Sequence, residues 1–431
     1  METPISSDVA NRLTFTPVIT FALIGLNVLV YIAMGLSGVS WAEPSITDAI
    51  RWGADFGPFT IGGEWWRLFT SMFVHFGIIH IGFNMWCLWS LGISLEQLMG
   101  RKAFAFTYFA SGLAASVVSV AWSPWRASAG ASGAIFGLAG EFVSYLLLRK
   151  TSIERSAVKQ QLKSLAIFIL YNLLRGAASV GIDNSAHLGG LAAGLILGAL
   201  IPPLVRHDAA NNPQVAPQIE TTLRGKTNQE AFPLPIAVSA GLVLFAAAMW
   251  TYSKNAPAVH YGKAVKAVSR GNLALGITEM QNAVASDKKS IFANALLGEW
   301  QLEQADPAAA IPALEHALSL IPGAYDVEHN LALAYLGSGR ALDAINEISI
   351  ALLQEKNDAW RGQYILALAA ENMGAVQLAS QNLQSVVKSN PDFQDARDTL
   401  ARLQSGSKPE STVTIPYSKL AMKSEAWPLY P

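Results

Sequence analysis

The chain has 431 residues, of which 52% are hydrophobic and only 14% charged, against about 25% charged in an average soluble protein. Such a composition points to a membrane protein, and because the charge-rich part follows residue 252, two architectures share one chain. A formal net charge of -1 with no basic block argues against nucleic-acid binding, and a single cysteine, Cys87, excludes intramolecular disulfides and thiolate metal clusters.

Crossing about 30 Å of hydrocarbon takes about 20 mostly apolar residues. Seven segments are read as spans, at 17–37, 70–95, 103–122, 132–149, 162–175, 186–205 and 233–252. The first lacks a basic n-region and its apolar run is too long for a cleavable signal. The fifth is short, and the second carries two histidines and an asparagine. Lys and Arg accumulate in cytoplasmic loops. Arg149, Lys150, Arg155, Lys159 and Lys163 oppose Glu154 alone between spans four and five, and Arg101 with Lys102 follows span two. The amino terminus is therefore expected to be cytoplasmic. Spans two, four and six run inward from the outer side, and span seven places the carboxy-terminal region outside.

After span seven, Gly271, Ala305, Gly339 and Gly374 recur at intervals of 34, 34 and 35, each five residues before a small residue: Gly276, Ala310, Ala344 and Ala379. The stretch 329-HNLALAYLGSG-339 ends a first helix and 344-AINEISIALL-353 belongs to a second. This period resembles the tetratricopeptide repeat, a helix pair whose stacked arrays bind peptide or protein. An unrelated helical bundle is the competing reading. The tail, 406–431, reads as mostly disordered or loosely docked.

The chemistry is expected within the spans. Ser132 begins span four in 130-GASGAIFGLAG-140, His187 begins span six, and His75, His80 and Asn84 lie in the first half of span two. All fall in the outer half of the bilayer. Gly133 and Gly137 are four apart, as are Gly190, Gly194 and Gly198, with His187 three before the first. Small residues at this spacing let membrane helices approach closely, which would bring the Ser132 hydroxyl to the His187 imidazole. Serine and glycine also serve packing alone, but ionisable side chains inside spans usually line cavities or do chemistry.

A serine hydroxyl becomes a nucleophile when a base takes its proton, and neutral histidine can do so and later protonate the leaving amine. A helix amino terminus favours a developing oxyanion, and His80 and Asn84, four apart, share one helix face. Asp183 and Glu141 are assigned no role. A soluble nucleophile elbow, G-x-S-x-G, does not fit Gly130-Ala131-Ser132-Gly133-Ala134, before which no strand is read. A zinc site on His75, His80 and His187 is disfavoured, since on a helix the first two would lie about 140° apart.

Four stretches in order, 64-EWWRLFTSMFVH-75, 75-HFGIIHIGFN-84, 130-GASGAIFG-137 and 186-AHLGGLAAG-194, resemble the rhomboid family of intramembrane serine proteases over residues 10–205. The resemblance implies Ser132 as nucleophile and His187 as general base, with His80, Asn84 and the Ser132 N–H forming the oxyanion hole. Gly130 and Gly133 flank the serine. His75 is implied to be structural, and Arg67 to belong to a loop lying partly in the membrane. Some members stack a tyrosine on the histidine, where this chain has Phe136.

The expected fold is therefore all-α: a polytopic membrane helical bundle with a rhomboid-like six-helix core in 1–205, a linker at 206–232 and a seventh span at 233–252. An α-solenoid follows in 257–405. The expected function is hydrolysis of transmembrane protein substrates by a Ser-His dyad in the lipid bilayer, without metal or cofactor, the repeats recruiting a substrate, protein or peptide partner. The expected location is the inner (cell) membrane of a bacterium, with the repeats outside the cytoplasm. The alternative is a non-proteolytic membrane adaptor that binds transmembrane helices and a soluble partner.

Overall fold

The computed structural model describes residues 16–148, 154–178, 182–201, 234–354, 359–406 and 415–423. The expected linker at 206–232, the loop residues Arg149 and Lys150, and most of the tail lie outside them. Two compact units divide the chain, Met1–Val259 and His260–Pro431.

The first unit begins with α1, Val18–Leu36, whose amino-terminal N–H groups are met by a buried carboxylate far along the chain. Glu96 accepts from the Ile19 and Thr20 backbone at 3.0 and 2.8 Å and from the Thr20 hydroxyl at 2.8 Å. An anion at that end complements the helix dipole. Short helices follow: α2 (Ile46–Arg51), α3 (Gly57–Ile61) and α4 (Arg67–Thr70). Long helices are α5 (Ile78–Met99), α6 (Arg101–Trp122), α7 (Ser132–Leu148), α8 (Arg155–Ala178), α9 (Asn184–Leu200) and α10 (Leu234–Lys254).

Span two thus begins at Ile78 rather than at residue 70. Residues 71–77 form a short 3-10 turn, Ser71–Phe73, and a loop ending at Gly77, whose φ of +112° suits glycine. His75 is consequently not helical, and the 140° separation expected of a common helix does not apply. A second difference is a two-residue strand, β2 (Ala127–Ser128), just before the serine, paired antiparallel with β1 (Asp55–Phe56). At two residues it is still far from the long strand of a hydrolase elbow.

Among the described residues four helices, α1, α5, α6 and α10, are long and apolar enough to cross a membrane. Helices α7 and α9 have 17 residues each and rise about 25 Å, less than the hydrocarbon thickness of about 30 Å. Helix α7 is buried along most of its length and packs on both α6 and α9. A helix shielded from lipid on most sides has no need to span the full bilayer. By contrast, α10 leaves Leu234, Val238, Leu242, Val243 and Phe245 exposed, an apolar surface suited to lipid.

The second unit is an all-helical array: α11 (Ala256–Ser269), α12 (Leu273–Ser286), α13 (Ile291–Glu303), α14 (Pro307–Leu320), α15 (Tyr325–Gly337), α16 (Ala341–Gln354), α17 (Ala359–Asn372), α18 (Val376–Ser389) and α19 (Gln394–Gln404). From α12 on, each helix packs on the next, and α13, α15 and α17 also touch in series, the neighbour-to-neighbour contact of a solenoid. The four repeat markers all occupy the left-handed region, Gly271 at φ 79°, Ala305 at 59°, Gly339 at 78° and Gly374 at 77°. They are the turns that reverse the chain after the first helix of each pair. The partner positions Ala310, Ala344 and Ala379 are fully buried, where only small side chains admit the neighbouring helix. Asn272, Ser290 and Asp306 cap the following helices by accepting from the N–H three residues on.

Candidate active site

Helices α7 and α9 approach so closely that their backbones touch through glycine. A Cβ on Gly190 would strike the Gly133 carbonyl, one on Gly194 the Gly137 carbonyl, and one on Gly198 would lie 2.7 Å from the Glu141 carbonyl. The two small-residue stripes are therefore in register, each step of four on α9 meeting a step of four on α7. Gly133 also faces α6, where a Cβ would meet that of Ala115 at 2.5 Å. Close approach of backbones through small residues is the packing that substitutes for a hydrophobic driving force in lipid.

With that register, the first residue of α7 faces the first turn of α9. The Ser132 hydroxyl lies 3.0 Å from His187 Nε2, within hydrogen-bond reach of a nucleophile and its base. His187 is 5% exposed, and its Nδ1 has no hydrogen-bond partner among the described residues. The imidazole is instead held by its face: the Phe136 ring stacks on it at 4.2 Å between centroids with planes 4° apart. Phe136 is in turn buried against Phe168 of α8.

Sequence reasoning left Asp183 without a role, and it proves to be the cap of α9. Its carboxylate accepts from the Ser185 and Ala186 N–H groups at 3.0 and 3.1 Å, and from the Ser119 hydroxyl of α6. Burial acts to raise the Asp183 carboxyl, but hydrogen bonds from Ser119, Ser185, Ser128 and the Ala186 N–H outweigh it and hold the group below its usual value. The cap was legible as an Asp just before an apolar helix, whereas the bond to Ser119 was not. Glu141, also left without a role, is buried and accepts from the Thr107 hydroxyl at 2.9 Å, tying α7 to α6.

The remaining residues of span two converge on the loop before Ser132. Gly130 has φ +124°, donates its N–H to the Ser71 carbonyl at 2.8 Å, and leaves its missing side chain's place to α5. A Cβ there would lie 3.0 Å from His80 Nε2 and 3.5 Å from Asn84 Nδ2. His80 Nδ1 accepts from the Phe76 N–H at 3.3 Å, which leaves the proton on Nε2. The Asn84 amide nitrogen is buried without a hydrogen-bond partner among the described residues. Two N–H donors thus lie at the place of the missing Gly130 side chain, two residues before the serine at which α7 begins; the first-turn N–H groups of that helix have no intrahelical acceptor.

His75 is 5.1 Å from His80 between ring centroids. Its Nδ1 donates to the Phe73 carbonyl at 3.2 Å and its Nε2 accepts from the Ala131 N–H at 3.5 Å. Those contacts hold the backbone next to the serine and do not touch Ser132 itself. Arg67 stands apart: its guanidinium donates to the Ile50 and Ala54 carbonyls at 2.6 and 3.0 Å, pairs with Glu64 at 2.6 Å, and covers the Trp66 ring at 4.6 Å. It fastens the segment 50–67 to itself. Among the described residues no three His, Cys, Asp or Glu side chains are grouped so as to hold a metal ion.

A half-buried serine at a helix start, a buried and stacked histidine 3.0 Å from it, and two side-chain N–H donors on a neighbouring helix make up the candidate site. The rhomboid domain family model matches residues 62–203. Over 185 residues the chain is 35% identical to rhomboid protease GluP of Bacillus subtilis (strain 168), covering 43% of this chain and 35% of that protein. It is 31% identical to rhomboid protease AarA of Providencia stuartii, covering 42% of this chain and 70% of that one. The chain belongs to the rhomboid family and is a multi-pass integral membrane protein. Of the curated relatives that head the comparison it spans 35%, 57% and 39% of the length. Among solved structures, a thermophilic TPR protein of Thermus thermophilus is similar at a TM-score of 0.29 with 19% identity, covering 43% of this chain and 98% of that chain.

Proposed function

We propose that the chain is an intramembrane serine endopeptidase that hydrolyses peptide bonds of transmembrane protein substrates by a Ser132–His187 dyad. The observation that carries this reading is the 3.0 Å separation of buried His187 Nε2 from the half-buried Ser132 hydroxyl. Nε2 takes the hydroxyl proton as the oxygen attacks the scissile carbonyl, which requires the tautomer with its proton on Nδ1. The oxyanion is then held by the Ser132 N–H, His80 Nε2–H and the Asn84 amide, three donors aimed where charge develops. The imidazolium so formed lies against the face of Phe136, returns its proton to the leaving amine, and accepts one again from the water that cleaves the acyl-enzyme. His75 and Arg67 position backbone, and Gly130 and Gly133 permit the close approaches on which the site depends.

A substrate helix hides its carbonyls in its own hydrogen bonds, so it must unwind locally before attack. The short helices α7 and α9 favour a site below the outer membrane surface. We place the protease core in 1–205, the linker in 206–232, the seventh span in 233–252, the repeats in 257–405 and a tail in 406–431. The amino terminus is assigned to the cytoplasm of a bacterial inner membrane, and the repeats, on its outer side, recruit substrate or partner proteins.

The test uses full-length protein in detergent micelles or liposomes with a model transmembrane substrate. Wild type is expected to cleave it, while Ser132→Ala and His187→Ala retain the helical circular dichroism and lose cleavage by at least about a thousandfold. Wild type and both variants equally inert across several substrates would replace the protease reading by the adaptor reading.

A further inference from the structure

Within the repeat unit, residues Ile415–Lys423 do not trail away from the helices. They form a short turn of helix, α20 (Tyr417–Leu420), and lie across α15 and α17. Leu420 is fully buried in the repeat core. Tyr417 packs so closely on α15 that a Cβ at Gly337 would strike its hydroxyl.

The polar contacts divide into two kinds. Two adjacent buried residues of α15 read backbone: His329 Nε2 donates to the Leu420 carbonyl at 2.9 Å, and the Asn330 amide both donates to the Met422 carbonyl at 3.0 Å and accepts from the Met422 N–H at 2.8 Å. A side-chain amide paired in both directions with one backbone residue recognises an extended peptide irrespective of that residue's identity. The other contacts read side chains. Lys419 pairs with Asp395 at 2.7 Å, and Arg361 Nη1 lies 3.4 Å from the Met422 sulfur. The exposed Lys419 pair adds little affinity; the buried leucine and the backbone bonds supply most of it.

His329 and Asn330 are 0% and 4% exposed, and buried polar groups of this kind are costly unless bonded. Here their bonding partners come from 91 and 92 residues away in sequence, and they recognise mostly backbone. We propose that Ile415–Lys423 is a tethered occupant of a peptide-binding site built on α15 and α17. The external ligand of that site is a protein segment of the same chemistry: an aromatic residue, then three positions on a leucine preceded by a basic residue, then a long apolar residue two further. A tethered segment acts at an effective concentration of about a millimolar. It therefore opposes any external peptide whose own affinity is micromolar, and the repeats are self-occluded until such a partner displaces the tail. This deepens the recruiting role proposed above and rests on it.

The test is fluorescence anisotropy of a labelled, amide-capped peptide of sequence IPYSKLAMK added to the full-length protein in detergent. Wild type is expected to bind weakly. Leu420→Asp in the chain expels the tethered segment and is expected to tighten peptide binding by about ten- to a hundredfold. Adding Asn330→Ala to that variant should weaken it again by about tenfold or more. A Leu420→Asp chain with intact helicity that binds no tighter than wild type, or a double variant that binds as well as the single one, overturns the proposal. So does loss of repeat helicity in both Leu420→Asp and the milder Met422→Pro, which removes the N–H that Asn330 accepts together with the sulfur beside Arg361 but leaves Leu420 in place, because the segment would then be a structural cap. The readout is peptide binding and not proteolysis, so failure here leaves the assignment of Ser132 and His187 untouched.

Discussion

Phe136 illustrates how one side chain can matter without bearing a reactive atom. Its ring covers the His187 face at 4.2 Å while Nδ1 has no hydrogen-bond partner among the described residues, so stacking rather than a carboxylate orients this imidazole. The face of an aromatic ring also stabilises a neighbouring cation by about 0.5–2 kcal/mol, which matters only once the imidazolium forms. Phe136→Leu is therefore expected to lower kcat for a transmembrane substrate by about two- to thirtyfold, with KM nearly unchanged, while Phe136→Tyr retains most activity. Equal kcat in wild type and Phe136→Leu would show that the ring contributes only packing. The family resemblance pointed to the ring at Phe136, yet the sequence did not show that it would lie parallel to the imidazole, because a ring's orientation depends on what surrounds it, here Phe168 from α8.

Helices α7 and α9 show the same division between spacing and placement. Steps of four on each helix predict a small-residue stripe on each, but only the assembled pair sets Gly190, Gly194 and Gly198 opposite the α7 carbonyls. Gly194→Val would drive a side chain into the Gly137 carbonyl, with no flexible neighbour to yield. It is expected to destabilise the membrane unit by at least about 3 kcal/mol and to abolish proteolysis by separating Ser132 from His187. Retained cleavage together with an unchanged detergent-unfolding midpoint would contradict the glycine register. In the repeats, the left-handed turn after the first helix falls to glycine at three of the four markers and to exposed Ala305 at the fourth. An L-residue in that region costs about 1–2 kcal/mol, so Ala305→Gly should raise repeat stability by about 1 kcal/mol in thermal unfolding. A lower midpoint would mean that the alanine methyl makes contacts that offset the strain.

Taken as a whole, the chain joins a lipid-adapted bundle, with large apolar side chains outward on α10, to an array whose apolar residues are turned in. The Arg- and Lys-rich segment between α7 and α8, taken with the seven spans proposed from the sequence, predicts repeats outside the cytoplasm. Protease added to cells with an opened envelope but a sealed inner membrane is then expected to digest residues 257–405. Digestion only after the inner membrane is permeabilised would reverse that orientation. Composition, apolar runs, the 34-residue period and the candidacy of Ser132, His187, His80 and Asn84 were all legible in the sequence, since each follows from residue type and spacing within one element or from the family resemblance. Four features came only with tertiary structure. The second span starts at Ile78, leaving His75 in a loop that braces the serine backbone. Asp183 joins α9 to α6, Glu96 closes the start of α1, and the tail lies on His329 and Asn330. Each of these pairs groups separated by dozens of residues, and such a pairing depends on where whole backbones come to rest, which no local pattern of side chains specifies.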